Sequence, residues 1–373
     1  MLSQTEQSSS SLRVAAIDTL KAWAIFIVVL SHNQVMEQGG VGNCIFFAVS
    51  GFMAAAPFSK NPFENRFTSV KSFFTYYAGK IVRIMPSFWI VLLCSYMIFP
   101  GGSARELFSA MLLKDVTGHI WFLQNTMLLY FLTPFLGAAL HLLSIGHQKK
   151  TGKKSFGQLP LLLTGVGLLL IALLKKRLRF PTSLMTYNEG TALIYTGQYL
   201  IGMAFAFFWR ALSKYEAVFQ AKPLRTLLDV ISFVLLLFPI YTCHTVLSLW
   251  SPQYAEYHIG WRRPLLCTIV FALLIVILLL NPNGLVTRLM SFGPFAVMGR
   301  VSFGIYLVHW YIIPLCATIA NTYIRSFTVY ALSLGIAIIL YGVVEKPLGV
   351  LMKTKSWQKF FAVYTQMDAS FKK

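Results

Sequence analysis

The sequence predicts an all-α fold: a polytopic integral membrane helical bundle of about ten transmembrane helices, with both termini cytoplasmic. Three observations predict it. Hydrophobic residues make up 57% of the 373 positions and charged residues only 12%, about half the charged share of an ordinary soluble domain. Apolar runs of about 17 to 25 residues, the length that crosses a hydrocarbon core of roughly 30 Å, recur along nearly the whole chain. Lysine and arginine gather on alternate connections, as a fixed orientation in a membrane requires.

The first span covers residues 17–35. It follows a polar, Ser-rich start, "MLSQTEQSSSSLR", with no signal-peptide cleavage pattern behind the apolar run, so it is expected to stay as an anchor. The second, 42–58, contains Gly51 and ends at Pro57, which makes it the least regular. The third, 81–99, follows a loop holding Lys60, Arg66, Lys71, Lys80 and Arg83, and the fourth, 119–140, opens with His119 and Trp121. The fifth, 159–174, and sixth, 191–209, flank the basic stretch "LLKKRLRF". The seventh, 227–249, and eighth, 264–280, follow the basic residues between 210 and 225 and the pair Arg262 and Arg263. The ninth, 301–320, carries His309, and the tenth, 329–344, runs into Glu345, Lys346 and Pro347. None of the ten has the period-two alternation of a barrel strand. Residues 1–16 then form a polar cytoplasmic N-terminal tail, 17–347 the transmembrane domain and 348–373 a basic cytoplasmic C-terminal tail.

With the N-terminus cytoplasmic, 23 of the 32 Lys and Arg residues fall on cytoplasmic segments. The formal net charge of +20 is therefore mostly topology. No nucleic acid is expected as a partner, because no soluble module offers a basic groove with exposed aromatics. The exception is Lys175, Lys176, Arg177 and Arg179 on the outer side, which serve either to anchor the chain at anionic head groups or as an electropositive mouth for an anionic acceptor. The five cysteines are odd in number and lack CxxC spacing, so they form neither a disulfide framework nor a metal site. The signatures of nucleotide hydrolysis, zinc proteolysis and serine hydrolysis are absent.

The first span, "IDTLKAWAIFIVVLSHN", carries three ionisable groups in a setting where each is costly and therefore marks function by default. Asp18 and Lys21 are three residues apart and share a helix face, so they can pair. Lys21 and His32 are eleven residues apart, about 16 Å of rise and within roughly 20° of one face. A cation at the cytoplasmic mouth and an imidazole deep in the outer half suit a molecule with phosphates at one end, a thin arm and a reactive acyl group: acyl-CoA. Imidazole can take a proton from an acceptor hydroxyl near neutral pH. The plainer alternatives are a helix–helix hydrogen bond for His32 and a snorkelling anchor for Lys21.

That segment, with "FFAVSGF", "KIVRIMP", "HIWFLQNTMLLYFLTP", "GRVSFGIYLVHW" and "VEKP", resembles the acyltransferase 3 family of membrane polysaccharide O-acyltransferases, from about Ile17 to Pro347 and in the family's motif order. The resemblance implies that His32 is catalytic, with Lys21 ten intervening residues ahead of it in the first helix and Asp18 counted in the same catalytic set. Lysine stands where arginine is commoner, keeping the charge and losing the bidentate fork. It further implies that Lys21, Lys80 and Arg83 hold donor phosphates, that Ser50 in the FFxxSG stretch and Glu345 belong to the donor site, and that His119, Trp121 and His309 bind the acceptor. Acetyl-CoA, or another acyl-CoA, is the expected donor substrate, with no metal. The acceptor is a sugar hydroxyl of a surface glycan, such as an exopolysaccharide, or of its lipid-linked precursor, at the bacterial cytoplasmic (inner) membrane. Membrane lipids and polysaccharide-assembly proteins are the other expected partners. The stretch after Pro347 is too short for the hydrolase-like domain some members carry, so the membrane domain completes the transfer or hands over to a separate protein. A multi-span transporter or flippase, or a non-catalytic partner in polysaccharide assembly, is the competing reading. No internal repeat of the transporter kind is visible.

Overall fold

Burial of both faces of the first helix sets the architecture. The computed structural model describes residues 4–36, 38–60, 67, 69–99, 102–114, 118–152, 158–175, 195–242, 263–352 and 354. In chain order the α-helices are α1 (Gln4–His32), α2 (Gly39–Lys60), α3 (Val70–Ile98), α4 (Ala104–Met111), α5 (Trp121–Thr151), α6 (Gln158–Lys175), α7 (Thr196–Leu212), α8 (Glu216–Phe219), α9 (Lys222–Leu236) and α10 (Phe238–Tyr241). They continue as α11 (Pro264–Leu280), α12 (Leu285–Met290), α13 (Gly293–Arg300), α14 (Ser302–Leu315), α15 (Thr322–Leu340) and α16 (Lys346–Leu351), and no strand occurs among the described residues.

Leu20, Ala24 and Ile27 of α1 enter an apolar core shared with α2, α6, α7 and α11. Ile25, Val28 and Val29 enter a second core built from α3, α14 and α15. The first helix is thus the wall between two halves, and whatever lines it is reached from both.

The interior is apolar as in a soluble protein, but the exterior is apolar too, and polar side chains are among the buried ones. Leu163, Ile171 and Val343 are exposed, whereas Thr133, Thr268, Ser326 and Ser333 are buried. Three of those hydroxyls donate to the carbonyl four residues back, Thr133 to Leu129, Thr268 to Pro264 and Ser326 to Thr322, which satisfies them without water. Apolar residues spread over the outer faces of the helices exceed what a soluble monomer tolerates. This is an integral membrane protein.

Each of the ten segments expected to span falls on a helix, but the count differs. Among the described residues six helices are long and apolar enough to cross a membrane, or seven if α13 and α14, bent by 69°, form one span. The reason is length. The apolar stretch Gln158–Leu174 of α6 and the helices α7 and α11 have 17 residues each, about 26 Å of rise against a core of roughly 30 Å. Pro264 opens α11 and Asn281 closes it, so the apolar run cannot lengthen. Conversely, α3 and α5 outrun the apolar stretches 81–99 and 119–140, because Ser69 caps the start of α3 and Gly152, left-handed at φ 70°, closes α5. Helix α1 starts at Gln4, so most of the expected N-terminal tail continues the first helix. Residues 191–194, 243–249 and 355–373 of the expected spans and C-terminal tail lie outside the described residues, as do Lys176, Arg177 and Arg179.

Glycine brings α2 and α7 together. A Cβ on Gly51 would lie 2.0 Å from the carbonyl oxygen of Tyr199, and one on Gly202 would lie 2.3 Å from that of Ala48. The two backbones touch at reciprocal points, the small-residue contact by which membrane helices gain packing energy. Gly51 of the FFxxSG stretch is therefore a packing residue, and its neighbour Ser50 faces the interior.

Candidate active site

Two cavities lie about three turns apart along α1, one level with Lys21 and one at the His32 end. The first, about 350 Å³, is basic: Lys21, Lys80, Arg83 and Arg300 line it, together with Ser50 and Glu345. The second, about 320 Å³, is lined by His32, His119, Trp121 and Trp310 with Ser31 and Asn43. The sequence expectation that Lys21 and His32 lie along one helix face is met, each at its own cavity.

Local structure explains how each side chain reaches the basic cavity. Lys21 is held by Asp18 at 2.7 Å, so Asp18 orients the lysine and is not itself on the cavity wall. Lys80 sits with its Nζ 4.0 Å from the ring centroid of Tyr130 and 5.4 Å from that of Tyr76, a cation–π seat that leaves its N–H donors unspent. Arg83 follows three residues later on α3, one turn along the same face. Arg300 arrives through the 69° bend between α13 and α14, which puts both Arg300 and Ser302 on this wall. Glu345 closes a π-helical turn, Tyr341–Glu345. Pro347 has no N–H to offer the carbonyl of Val343, which favours such a wide turn. Ser87 donates to Glu345 Oε1 at 3.4 Å.

At the other end, hydrogen bonds assign the tautomers. His309 Nδ1 lies 2.7 Å from the carbonyl oxygen of Tyr306 and 3.2 Å from that of Ile305. A carbonyl only accepts, so Nδ1 carries the proton. His309 is fully buried, and no carboxylate bonds it among the described residues, so it is neutral and its Nε2 accepts. His32 Nδ1, at 2.9 Å, must then be the donor to it. The rings are parallel within 6°, and the N···N distance is too short for face-to-face stacking, so this is an in-plane N–H···N bond. The consequence is specific: His32 Nε2 keeps its lone pair.

The remaining expected residues fall into place around this pair. His119 Nε2 donates to the carbonyl of Leu307 at 3.3 Å, and its ring stacks on Trp310. Trp121 stacks on Tyr195 at 5.0 Å. Both line the cavity, where an acceptor was expected. His309 does not line it; it lies behind His32, a place that suits a positioning residue better than the acceptor contact expected from the sequence. Lys21, expected about three turns from His32, lines the basic cavity, with Asp18 bonded to it. Among the described residues no group of three or more His, Cys, Asp or Glu is placed to hold a metal.

Arg300, Tyr130, Tyr306, Phe122 and Trp310 line these cavities and were not singled out from the sequence. The signal was present for some of them: Arg300, Tyr306 and Trp310 sit in "GRVSFGIYLVHW" and Phe122 in "HIWFLQN". Reading the full stretches for side chains, and not only for their histidines and Trp121, would have found them.

A family model described as an acyltransferase domain, acyltransferase 3, matches residues 14–344. The chain belongs to that family, and it is accordingly a membrane acyltransferase. No curated protein and no solved structure matches the chain.

Proposed function

We propose that the protein is an O-acyltransferase of a bacterial cytoplasmic membrane, moving an acyl group, acetyl in the first instance, from cytoplasmic acyl-CoA to a sugar hydroxyl of a surface glycan or its lipid-linked precursor. The observation that carries the reading is the placement of four cations around the level of Lys21 and, about three turns along α1, a base with an assigned tautomer. Donor phosphates suit the basic cavity: Lys80, Arg83 and Arg300 make no ion pair within 4 Å among the described residues, so their charge is available. Glu345 on the same wall limits the mutual repulsion of these cations. The distance along α1, about 16 Å, is that of a thin extended arm.

The chemistry runs through His32. The acceptor hydroxyl gives its proton to His32 Nε2 as its oxygen bonds to the thioester carbonyl carbon. The carbon–sulfur bond then breaks, and the thiolate of coenzyme A leaves with the proton returned from the imidazolium. The products are the sugar ester and free coenzyme A. His309 keeps the Nε2 lone pair in place throughout, while His119, Trp121 and Trp310 form an aromatic bed for a sugar ring.

The test is coenzyme A release from acetyl-CoA by the purified protein with a panel of glycan acceptors. Arg300→Ala is expected to raise the donor KM about tenfold with kcat within about twofold, as loss of one charge-assisted contact to phosphate dictates. Arg288, exposed on α12 and away from both cavities, supplies the control, and Arg288→Ala is expected to change neither constant. A wild-type protein that neither binds nor turns over any acyl-CoA returns the transporter or assembly-partner reading.

A further inference from the structure

The two cavities share two residues in their linings, Phe122 and Tyr306. Their rings meet edge to face, centroids 5.4 Å apart and planes at 61°. Any group that passes from the basic cavity to His32 along α1 has to pass this pair. We propose that Phe122 and Tyr306 are the specificity filter of the enzyme, a partition with one movable leaf that admits a slim, short, unbranched acyl group and holds back bulkier ones. The proposal rests on the acyl-CoA reading above and deepens it by naming the acyl class.

The two rings are held in different ways, and the difference identifies the leaf. The Tyr306 ring is tethered at its far end: its hydroxyl donates to the backbone carbonyl of His119. Swinging that ring would break the bond and leave the hydroxyl without its acceptor. The Phe122 ring has no hydrogen bond to hold it; it packs against both apolar cores and against the rings of Phe46, Phe47, Trp121 and Tyr306 at centroid distances between 4.9 and 6.0 Å. Such contacts are nondirectional and re-form after a rotamer change, so Phe122 is the ring that swings.

Two consequences follow for the substrate. The arm's pantoyl part, with its two methyl groups, stays on the basic side, and the gap left by one ring's swing passes the slender end of the arm and a linear acyl chain more readily than a branched or aryl acyl group. Beyond it, about 320 Å³ must hold the acyl group and the acceptor ring together, so the acyl group is limited to a few carbons. While Phe122 is in place the thioester is also kept from water on the acceptor side.

The experiment compares coenzyme A release from acetyl-, butyryl-, isobutyryl- and benzoyl-CoA by the full chain in detergent. Wild type is expected to favour acetyl over benzoyl by more than about tenfold, the scale on which apolar pockets reject oversized groups. Phe122→Ala is expected to narrow that ratio to about threefold or less, and Phe122→Leu to narrow it partway. Phe122→Trp is expected to cut acetyl turnover about tenfold while adenosine 3′,5′-bisphosphate, the nucleotide end of the donor, binds within about twofold of wild type. Thermal unfolding identifies folded variants, and Phe122→Leu, which keeps apolar packing, serves if the alanine variant does not fold. A folded Phe122→Ala or Phe122→Leu protein with the wild-type acyl ratio, or a wild type with no preference among the four donors, overturns the filter and leaves the acyltransferase reading intact. Absence of any acyl-CoA binding by wild type overturns both.

Discussion

His32→Ala is expected to lower kcat for acyl transfer by about 10³-fold, within the 10²- to 10⁴-fold that a positioned general base contributes. Donor KM is expected to stay within about twofold, because the cations proposed to take the phosphates line the other cavity. The neighbour supplies the sharper test. His309→Leu removes the acceptor for His32 Nδ1–H, frees the imidazole to take either tautomer, and is expected to cost about 10²-fold in kcat. His309→Gln offers a side-chain oxygen to the same proton and is expected to recover a large part of that loss. Steady-state coenzyme A release, with thermal unfolding recorded for each variant, checks all three. A purely structural His309 would lower the unfolding temperature without this split between leucine and glutamine. Full turnover in a folded His32→Ala protein would remove the base altogether.

How much of this was legible beforehand differs between the two cavities. Helical periodicity alone puts Lys21 and His32 on one face and pairs Asp18 with Lys21, since both are local relations within a few turns. The partner of His32 is 277 residues away, and no spacing rule reaches that far. "YLVHW" therefore marked His309 as notable, for a structural hydrogen bond or for the acceptor, without pointing to His32 as its partner. Arg300 is similar. Its place in the basic cavity depends on the 69° bend between α13 and α14, and without that bend it would have stayed one more cytoplasmic charge.

The fold shows the same division. A run of apolar residues reports a helix reliably, because every backbone group in lipid must be satisfied within the segment. It reports length poorly. Helix α11 stops where Asn281, Pro282, Asn283 and Gly284 stop it, and the helical stretch ahead of Lys80 continues α3 beyond any hydropathy threshold. That extension carries Tyr76 as well as Lys80, so the part of α3 ahead of the expected span is a part that builds the basic cavity.

Gly299→Ala is expected to be the most damaging single-methyl change in the bundle, costing more than about 3 kcal/mol, beyond the usual range for overpacking. The Cβ it adds would lie 1.6 Å from the carbonyl oxygen of Asp18 and 2.2 Å from its carbonyl carbon. Those are backbone atoms of α1, with no side chain to rotate away, so α13 must retreat. Retreat separates Arg300 from Lys21, and the donor cavity opens with it. The variant is therefore expected to lose thermal stability and, in whatever fraction folds, to show a raised donor KM. Gly335 on α15 is the matched control, because a Cβ there would meet nothing within 4 Å and alanine is a better helix former by up to about 1 kcal/mol. Thermal unfolding in detergent of Gly299→Ala and Gly335→Ala, side by side, reads the difference. Equal unfolding temperatures would mean that α1 and α13 do not cross in backbone contact, and that Arg300 is not held beside Lys21 by that crossing.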